Sequence, residues 1–424
     1  MYQMDPLEIA GGWVHGYDPE PPAPGPPADP RQVLDRILLR YLVRSPCLIA
    51  FSGGRDSSAL LAAAVATARR EGLAPPVPIT LTYPGAADTD EASWQRQVLD
   101  HLGIAERVDV VVHDEHDPVG QIATPLLLRH GIMWPPNFAP AWRIMDRARG
   151  GAMLTGEGGD EVFGVKRITP LTKVLKARGR ADHRLYPLAV GALAPAWLRR
   201  RAAVRQRYRP PWLREPVEAL LARRYADDIV AYPLHAGRHA WQFITRRGTR
   251  RGYETLRTLG SEIGVEYFHP LQEPDFVAAV AAAAGFWGWT GRTTTMRYLF
   301  DDLLPRAVLE RGSKAVFNNA VFTEHTREFA RRWNGDGVNP DLVDPEALRE
   351  NWLSASPHAP SMALLQQAWL AGRGGRLPPC CPAAPYLPDG EAEPGQRRRV
   401  PPRGVLPIGK NQCPHVGCLV AETR

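Results

Sequence analysis

Phe51-Ser52-Gly53-Gly54-Arg55-Asp56-Ser57-Ser58 is the stretch on which the reading of this chain turns. It stands between the apolar run Cys47-Leu48-Ile49-Ala50 and an alanine-rich run over residues 59–68. The first run reads as a buried strand and the second as a helix, so the loop lies where a parallel strand feeds a helix N-terminus. Unpaired N–H groups and the positive end of the helix dipole meet there, which favours a phosphate. Gly53 and Gly54 let the backbone turn with φ > 0 and approach a ligand closely, and the hydroxyls of Ser52, Ser57 and Ser58 can donate to phosphate oxygens. Asp56 by itself would repel a phosphate; a Mg²⁺ ion between the two resolves the repulsion. The Gly-Lys-Ser/Thr ending of a Walker loop is missing.

A second stretch has the same grammar: Ala152-Met153-Leu154-Thr155-Gly156-Glu157-Gly158-Gly159-Asp160-Glu161-Val162-Phe163-Gly164 is a short apolar strand running into a glycine-rich acidic turn. Glu157, Asp160 and Glu161 fall within five residues and would repel one another without a cation. The first loop resembles the Ser-Gly-Gly-x-Asp-Ser loop of the ATP pyrophosphatases, which hold the β- and γ-phosphates as one leaving group and cut between α and β. The two motifs in this order resemble the synthetase domain of asparagine synthetase and its relatives, β-lactam synthetase and the lasso-peptide macrolactam cyclases. The resemblance implies a PP-loop fold of the α/β class. It implies that Asp56 and Asp160 hold Mg²⁺ on the pyrophosphate, that Ser52, Gly53, Gly54, Ser57, Ser58 and Gly156 bind ATP, and that Glu157 faces the acyl-adenylate.

Outward from these motifs, residues 31–43 carry apolar side chains at Val33, Leu34, Ile37, Leu38 and Leu42, the spacing of an amphipathic helix leading into the first strand. Residues 77–83 read as a second strand, Asp90 and Glu91 open a helix reaching His101, and residues 107–112 read as a third strand. This rhythm predicts a doubly wound parallel sheet with its ligand at the strand C-termini. Residues 88–103 also resemble the family's Asp-Glu helix, and Met133-Trp134-Pro135-Pro136-Asn137 its proline-containing turn. After Gly164 the pattern is helical to the end of the globular part. Phe268-His269-Pro270-Leu271-Gln272-Glu273 occupies the position of the family's Pro-Phe-Leu-Asp segment, with Gln272 in place of the aspartate. Residues 294–317 resemble the basic loop that closes over the phosphates, and Lys314 is its candidate catalytic cation, a compact ammonium able to follow charge onto the departing pyrophosphate, with Arg311 assisting.

At 424 residues, 44% of them hydrophobic, the chain has the composition of a globular protein. Its organisation reads as a proline-rich arm over residues 1–30, the asparagine-synthetase-like ATP pyrophosphatase domain over 31–371, and a disordered tail over 372–424. Met1 to Ala10 contains Asp5 and Glu8 and has no apolar core, unlike a signal peptide. The longest nearly unbroken apolar run, residues 276–289, is too short to span a bilayer. A cytoplasmic protein without a membrane partner is expected. Four of the five cysteines lie in the last 45 residues; Cys413 and Cys418 with His415 and Cys380 or Cys381 lack the paired spacing of a closed zinc site. The net charge of +7 is carried almost wholly by arginine, since only five lysines occur. Residues 197–214 hold seven arginines and no acid, and residues 246–251 repeat the theme. Both read as solvated helix faces, without the aromatic-glycine signature of an RNA binder, so a nucleic-acid partner is not expected.

The expected activity is that of an amide-forming ligase. A small-molecule or peptide carboxylate is activated as an acyl-adenylate with release of pyrophosphate, then attacked by ammonia or an amine. Relatives that use glutamine carry an N-terminal amidotransferase domain with a leading cysteine, whereas Tyr2 follows Met1 here and the first cysteine is Cys47. Nitrogen is therefore expected from free ammonia, a separate glutaminase partner or a substrate amine, the last as in the lactam-forming natural-product enzymes. A tRNA-modifying pyrophosphatase would share the first loop but not the Gly-Glu-Gly-Gly-Asp-Glu motif, and a non-catalytic scaffold would be expected to lack Asp56, Asp160 or Lys314.

Overall fold

The computed structural model describes residues 1–19, 28–84, 91–207, 209–312 and 321–373. Five short strands pair throughout in parallel: β1 (Cys47–Ala50), β2 (Val77–Thr82), β3 (Val108–Val111), β4 (Ala152–Leu154) and β5 (Glu266–Phe268), in the order β3-β2-β1-β4-β5. Register places Leu48 beside Val77 on one side and beside Met153 on the other. Alternate residues serve opposite faces, as the two-residue period of a strand requires. Leu48, Met153 and Tyr267 enter one core cluster with Trp134, Phe138, Leu259 and the helix Met362–Ala371. Ile49, Leu154 and Phe268 enter the other with the helices Pro30–Leu42 and Arg55–Arg70. A sheet covered on both faces explains why its strands read as plain apolar runs rather than alternating ones.

The expectation of an all-helical stretch after Gly164 is corrected by β5. Three residues are too few to declare a period, and Glu266-Tyr267-Phe268 becomes a strand only because β4 is beside it, with Met153 in register with Tyr267. The proposed arm is corrected for its first nineteen residues. Asp5 caps the helix Pro6–Gly11 through a capping box with Glu8. Met4, Ala10 and Val14 are buried, and Trp212 donates from Nε1 to the Ala10 carbonyl at 3.0 Å. The proline-rich residues 20–27 lie outside the described residues, as do residues 374–424 with Cys380, Cys381, Cys413 and Cys418.

The run over residues 246–251 is not a solvated face. Arg247 pairs with Glu8 at 3.1 Å, and Arg250 and Arg251 pair with Asp18 at 3.2 and 3.0 Å. These cations fasten the N-terminal segment to the helix Arg247–Glu262. Among the described residues no helix is long and apolar enough to cross a membrane.

Candidate active site

The strand order reverses between β1 and β4: β1 leads outward through β2 to β3, and β4 leads outward to β5 on the other side. Loops leaving the C-terminal ends of two such strands diverge and leave a crevice, the usual ligand position in doubly wound sheets. Both quoted motifs leave their strands at this point. The first begins the helix Arg55–Arg70 with Gly54 as its N-cap, which brings no side-chain cap to the leading N–H groups. Gly53 takes φ 83°, whereas Gly54 is extended, so only Gly53 needs the left-handed region.

The loops touch, and glycine is what allows it. A side chain on Gly156 would start 2.8 Å from the Ser57 nitrogen, and one on Gly159 would start 2.3 Å from Asp56 Cγ. Asp56 therefore lies directly against the helix Gly159–Phe163, whose first turn carries Asp160. One guanidinium joins the two acids: Arg292, the first residue of the helix Arg292–Phe300, donates from Nη2 to Asp56 Oδ2 and from Nη1 to Asp160 Oδ1. Sequence reasoning missed Arg292. In a chain whose cations are nearly all arginine nothing singled it out, although it stands just before the stretch over residues 294–317.

The hydroxyls divide unequally. Ser52 is exposed and its Oγ accepts from the Gly54 nitrogen at 3.3 Å. Ser57 is buried and shapes the loop, its hydroxyl donating to the Gly54 carbonyl at 3.1 Å and accepting from the Ser52 nitrogen at 3.3 Å. Ser58 is fully buried with an unpartnered Oγ, which corrects its reading as a phosphate contact in this conformation. Glu157 is exposed at the mouth, its nitrogen donating to Thr155 Oγ1 at 3.3 Å. Thr155 is held in turn by His269 Nδ1 at 2.5 Å. Burial pushes the His269 imidazole down to about 3, so it stays neutral. Gln272 lies under Gly158, where a side chain would start 2.4 Å from Gln272 Cγ.

Arg311 is not an exposed assistant. It is buried, donates to the Gly53 carbonyl at 3.0 Å, makes a two-pronged ion pair with buried Glu91 and lies 4.8 Å over the Trp94 ring. Glu91 thus serves the loop rather than its own helix, Ala92–Leu102, to which it gives no side-chain cap. Asp90 and Lys314 lie outside the described residues. The chain on both sides of residues 313–320 is pinned, by Arg311 before and by Thr323 after, whose nitrogen donates to buried Asp117 at 2.7 Å. Burial, then the neighbouring Arg292 guanidinium, pulls Arg55 below its ordinary pKa, so positive charge is concentrated around the loop.

Magnesium binds through one or two carboxylates completed by substrate phosphates rather than in an all-protein cage. The site fits that habit. Asp56 and Asp160 converge on one cation, and Asp56 Oδ1 is buried with no hydrogen-bond partner. The sequence matches the family described as Asparagine synthase over residues 31–371. The chain belongs to the asparagine synthase family. Among curated proteins none matches it. Membership makes it a PP-loop α/β protein and identifies ATP as the nucleotide its family consumes in forming amides.

Proposed function

We propose that this chain couples ATP cleavage between the α- and β-phosphates to amide formation. A substrate carboxylate oxygen attacks the α-phosphorus, the bond to the β-phosphate oxygen breaks, and acyl-adenylate and pyrophosphate result. The nitrogen of ammonia or an amine then attacks the acyl carbon, AMP leaves, and the nitrogen gives up a proton. The observation that carries this reading is the convergence of Asp56 and Asp160, from loops of two different strands, on a single guanidinium.

In this reading the Ser52 hydroxyl and the leading N–H groups of the helix Arg55–Arg70 hold the β- and γ-phosphates, with Gly53 and Gly156 permitting the approach. Asp56 and Asp160 would hold Mg²⁺, which when bound offsets charge on the phosphates. Arg292 must then release at least one carboxylate, and its guanidinium is already beside the phosphates. Glu157 borders the acyl group and Lys314 supplies charge to the leaving pyrophosphate. Burial pushes the Cys47 thiol up to about 12, away from the thiolate that a glutaminase nucleophile needs. In this reading nitrogen enters as free ammonia, as an amine of the substrate, or from a separate glutaminase.

The test supplies ATP, Mg²⁺, a panel of small and peptide carboxylates and an amine to the purified chain, and identifies the nucleotide products. AMP and pyrophosphate are expected. Asp56→Asn and Asp160→Asn should each slow pyrophosphate release by on the order of a hundredfold or more with an unchanged circular dichroism spectrum. ADP with inorganic phosphate, or full rates in both variants, would overturn the assignment.

A further inference from the structure

The helix Leu185–Leu193 has the sequence Leu-Tyr-Pro-Leu-Ala-Val-Gly-Ala-Leu, with no charged residue. A helix that is apolar all round is normally enclosed by protein. Here only Ala189 and Ala192 are buried, while Leu188, Val190 and Leu193 are 58%, 69% and 54% exposed. Trp197, in the next helix Ala196–Gln206, is 64% exposed. Scattered apolar residues on a surface need no explanation, but such a run on adjoining helices marks a place where something binds.

The same region is strongly basic. Between residues 165 and 206 eleven lysines and arginines stand against the single acid Asp182. Some are used internally: Arg199 donates to the Val230 carbonyl at 3.0 Å and Arg200 pairs with Asp227 at 2.5 Å. Arg180, Arg184, Arg201 and Arg205 are exposed around the apolar run.

The helix before this surface packs on it and also on the segment that leads into the candidate active site. In the preceding helix Thr169–Lys176, Thr172 Oγ1 donates to the Trp287 carbonyl at 2.7 Å and Lys176 Nζ to the Gly288 carbonyl at 3.4 Å. Lys173 Cε lies 3.8 Å from where a side chain on Gly291 would start. The next residue is Arg292, which spans Asp56 and Asp160. The helix Thr169–Lys176 thus stands between surface and site.

Resting on the ligase reading, we propose that this surface docks a polypeptide that presents an apolar face edged with carboxylates and carries the carboxyl group to be activated. Its apolar side chains cover Leu188, Val190 and Trp197, and its acids meet Arg201 and Arg205. A bilayer could engage the same residues but would bring no carboxyl group to be activated. A second copy would bring one basic face against another in a chain of net charge +7.

The experiment uses the full chain without nucleotide and follows the fluorescence anisotropy of a labelled helical peptide of leucine and glutamate, with a leucine-lysine counterpart as control. The acidic peptide should bind and the basic one should not. Leu188→Asp with Trp197→Asp, and separately Arg201→Glu with Arg205→Glu, should each raise Kd roughly tenfold or more. Equal binding of the two peptides, or unchanged binding in both variants, would refute the proposal. Attachment to phosphatidylserine vesicles that Leu188→Asp with Trp197→Asp abolishes, while peptide binding persists, would assign the surface to a membrane instead. A concentration-dependent dimer lost in that same variant would assign it to a second copy. Because no ATP is present, the result stands apart from the reaction. Peptide binding by a chain that forms ADP would keep the docking surface and remove the ligase.

Discussion

Asp56 is where the site's chemistry condenses into one residue. Its carboxylate is backed by Gly159, bridged to Asp160 through Arg292, and left with one buried oxygen lacking a hydrogen-bond partner. Such an oxygen is costly unless something completes it, and the proposed Mg²⁺ would do so. In the proposed reaction Lys314, which lies outside the described residues, takes the complementary part. Lys314→Ala is expected to lower turnover by on the order of a hundredfold while changing ATP affinity little, because its charge acts on the transition state. Lys314→Arg should rescue poorly, since a planar guanidinium cannot follow moving charge as a compact ammonium does. Steady-state kinetics with an independent measurement of ATP binding checks both. Equal losses in binding and turnover would make Lys314 a ground-state ligand only.

Among the elements, the phosphate loop owes its shape to a strut from elsewhere in the chain. Arg311 and Glu91, both buried, form an ion pair that also fixes the Gly53 carbonyl, so the loop, the helix Ala92–Leu102 and the segment leading to Lys314 are tied at one point. Two charges taken from water offset each other only while both are present. Arg311→Met should therefore destabilise the fold by about 3–5 kcal/mol, leaving the Glu91 carboxylate buried without its guanidinium. Arg311→Met with Glu91→Leu should recover much of that loss. Urea denaturation of the two variants decides the matter, and equal destabilisation would show that the pair is not coupled. ATP affinity should stay weakened in the double variant, because the Gly53 carbonyl has still lost its donor.

For the whole molecule, three imidazoles held below their ordinary pKa set a dependence on pH. Burial lowers His116 from its ordinary 6.5 to about 4, and lowers His239 and His269 from 6.5 to about 3. His269 Nδ1 meets the Thr155 hydroxyl and His116 Nδ1 meets the Tyr83 hydroxyl at 3.0 Å, contacts that a neutral ring can keep. In the window between these values and 6.5 the unfolded chain binds protons that the native chain does not. Stability is therefore full above about pH 6.5 and falls as pH drops toward 4, by about 1.4 kcal/mol per pH unit for each histidine. Urea titrations across this range should show the slope, and His269→Gln should make it shallower by one proton. An unchanged slope in that variant would show that His269 is not enclosed in its neutral form.

The sequence by itself determined the class of fold and the two loops that meet at the crevice. Both facts are local: an apolar run, a glycine-rich turn and a helix are written in consecutive residues, and phosphate chemistry needs that local pattern. Asp56, Asp160, Gly53 and Gly156 were legible for this reason. Other features came only from tertiary structure, because each depends on residues far apart in the chain. The three residues of β5 gain strand geometry from β4, and Arg311 gains its partner from a helix 220 residues earlier. Arg292 reaches both acids only once its helix is packed against the short helix Gly159–Phe163. Tertiary packing also buries Ser58, which a loop read in isolation would leave exposed. Packing also places an uncharged helix, Leu185–Leu193, in solvent, although its composition alone assigns it to a core.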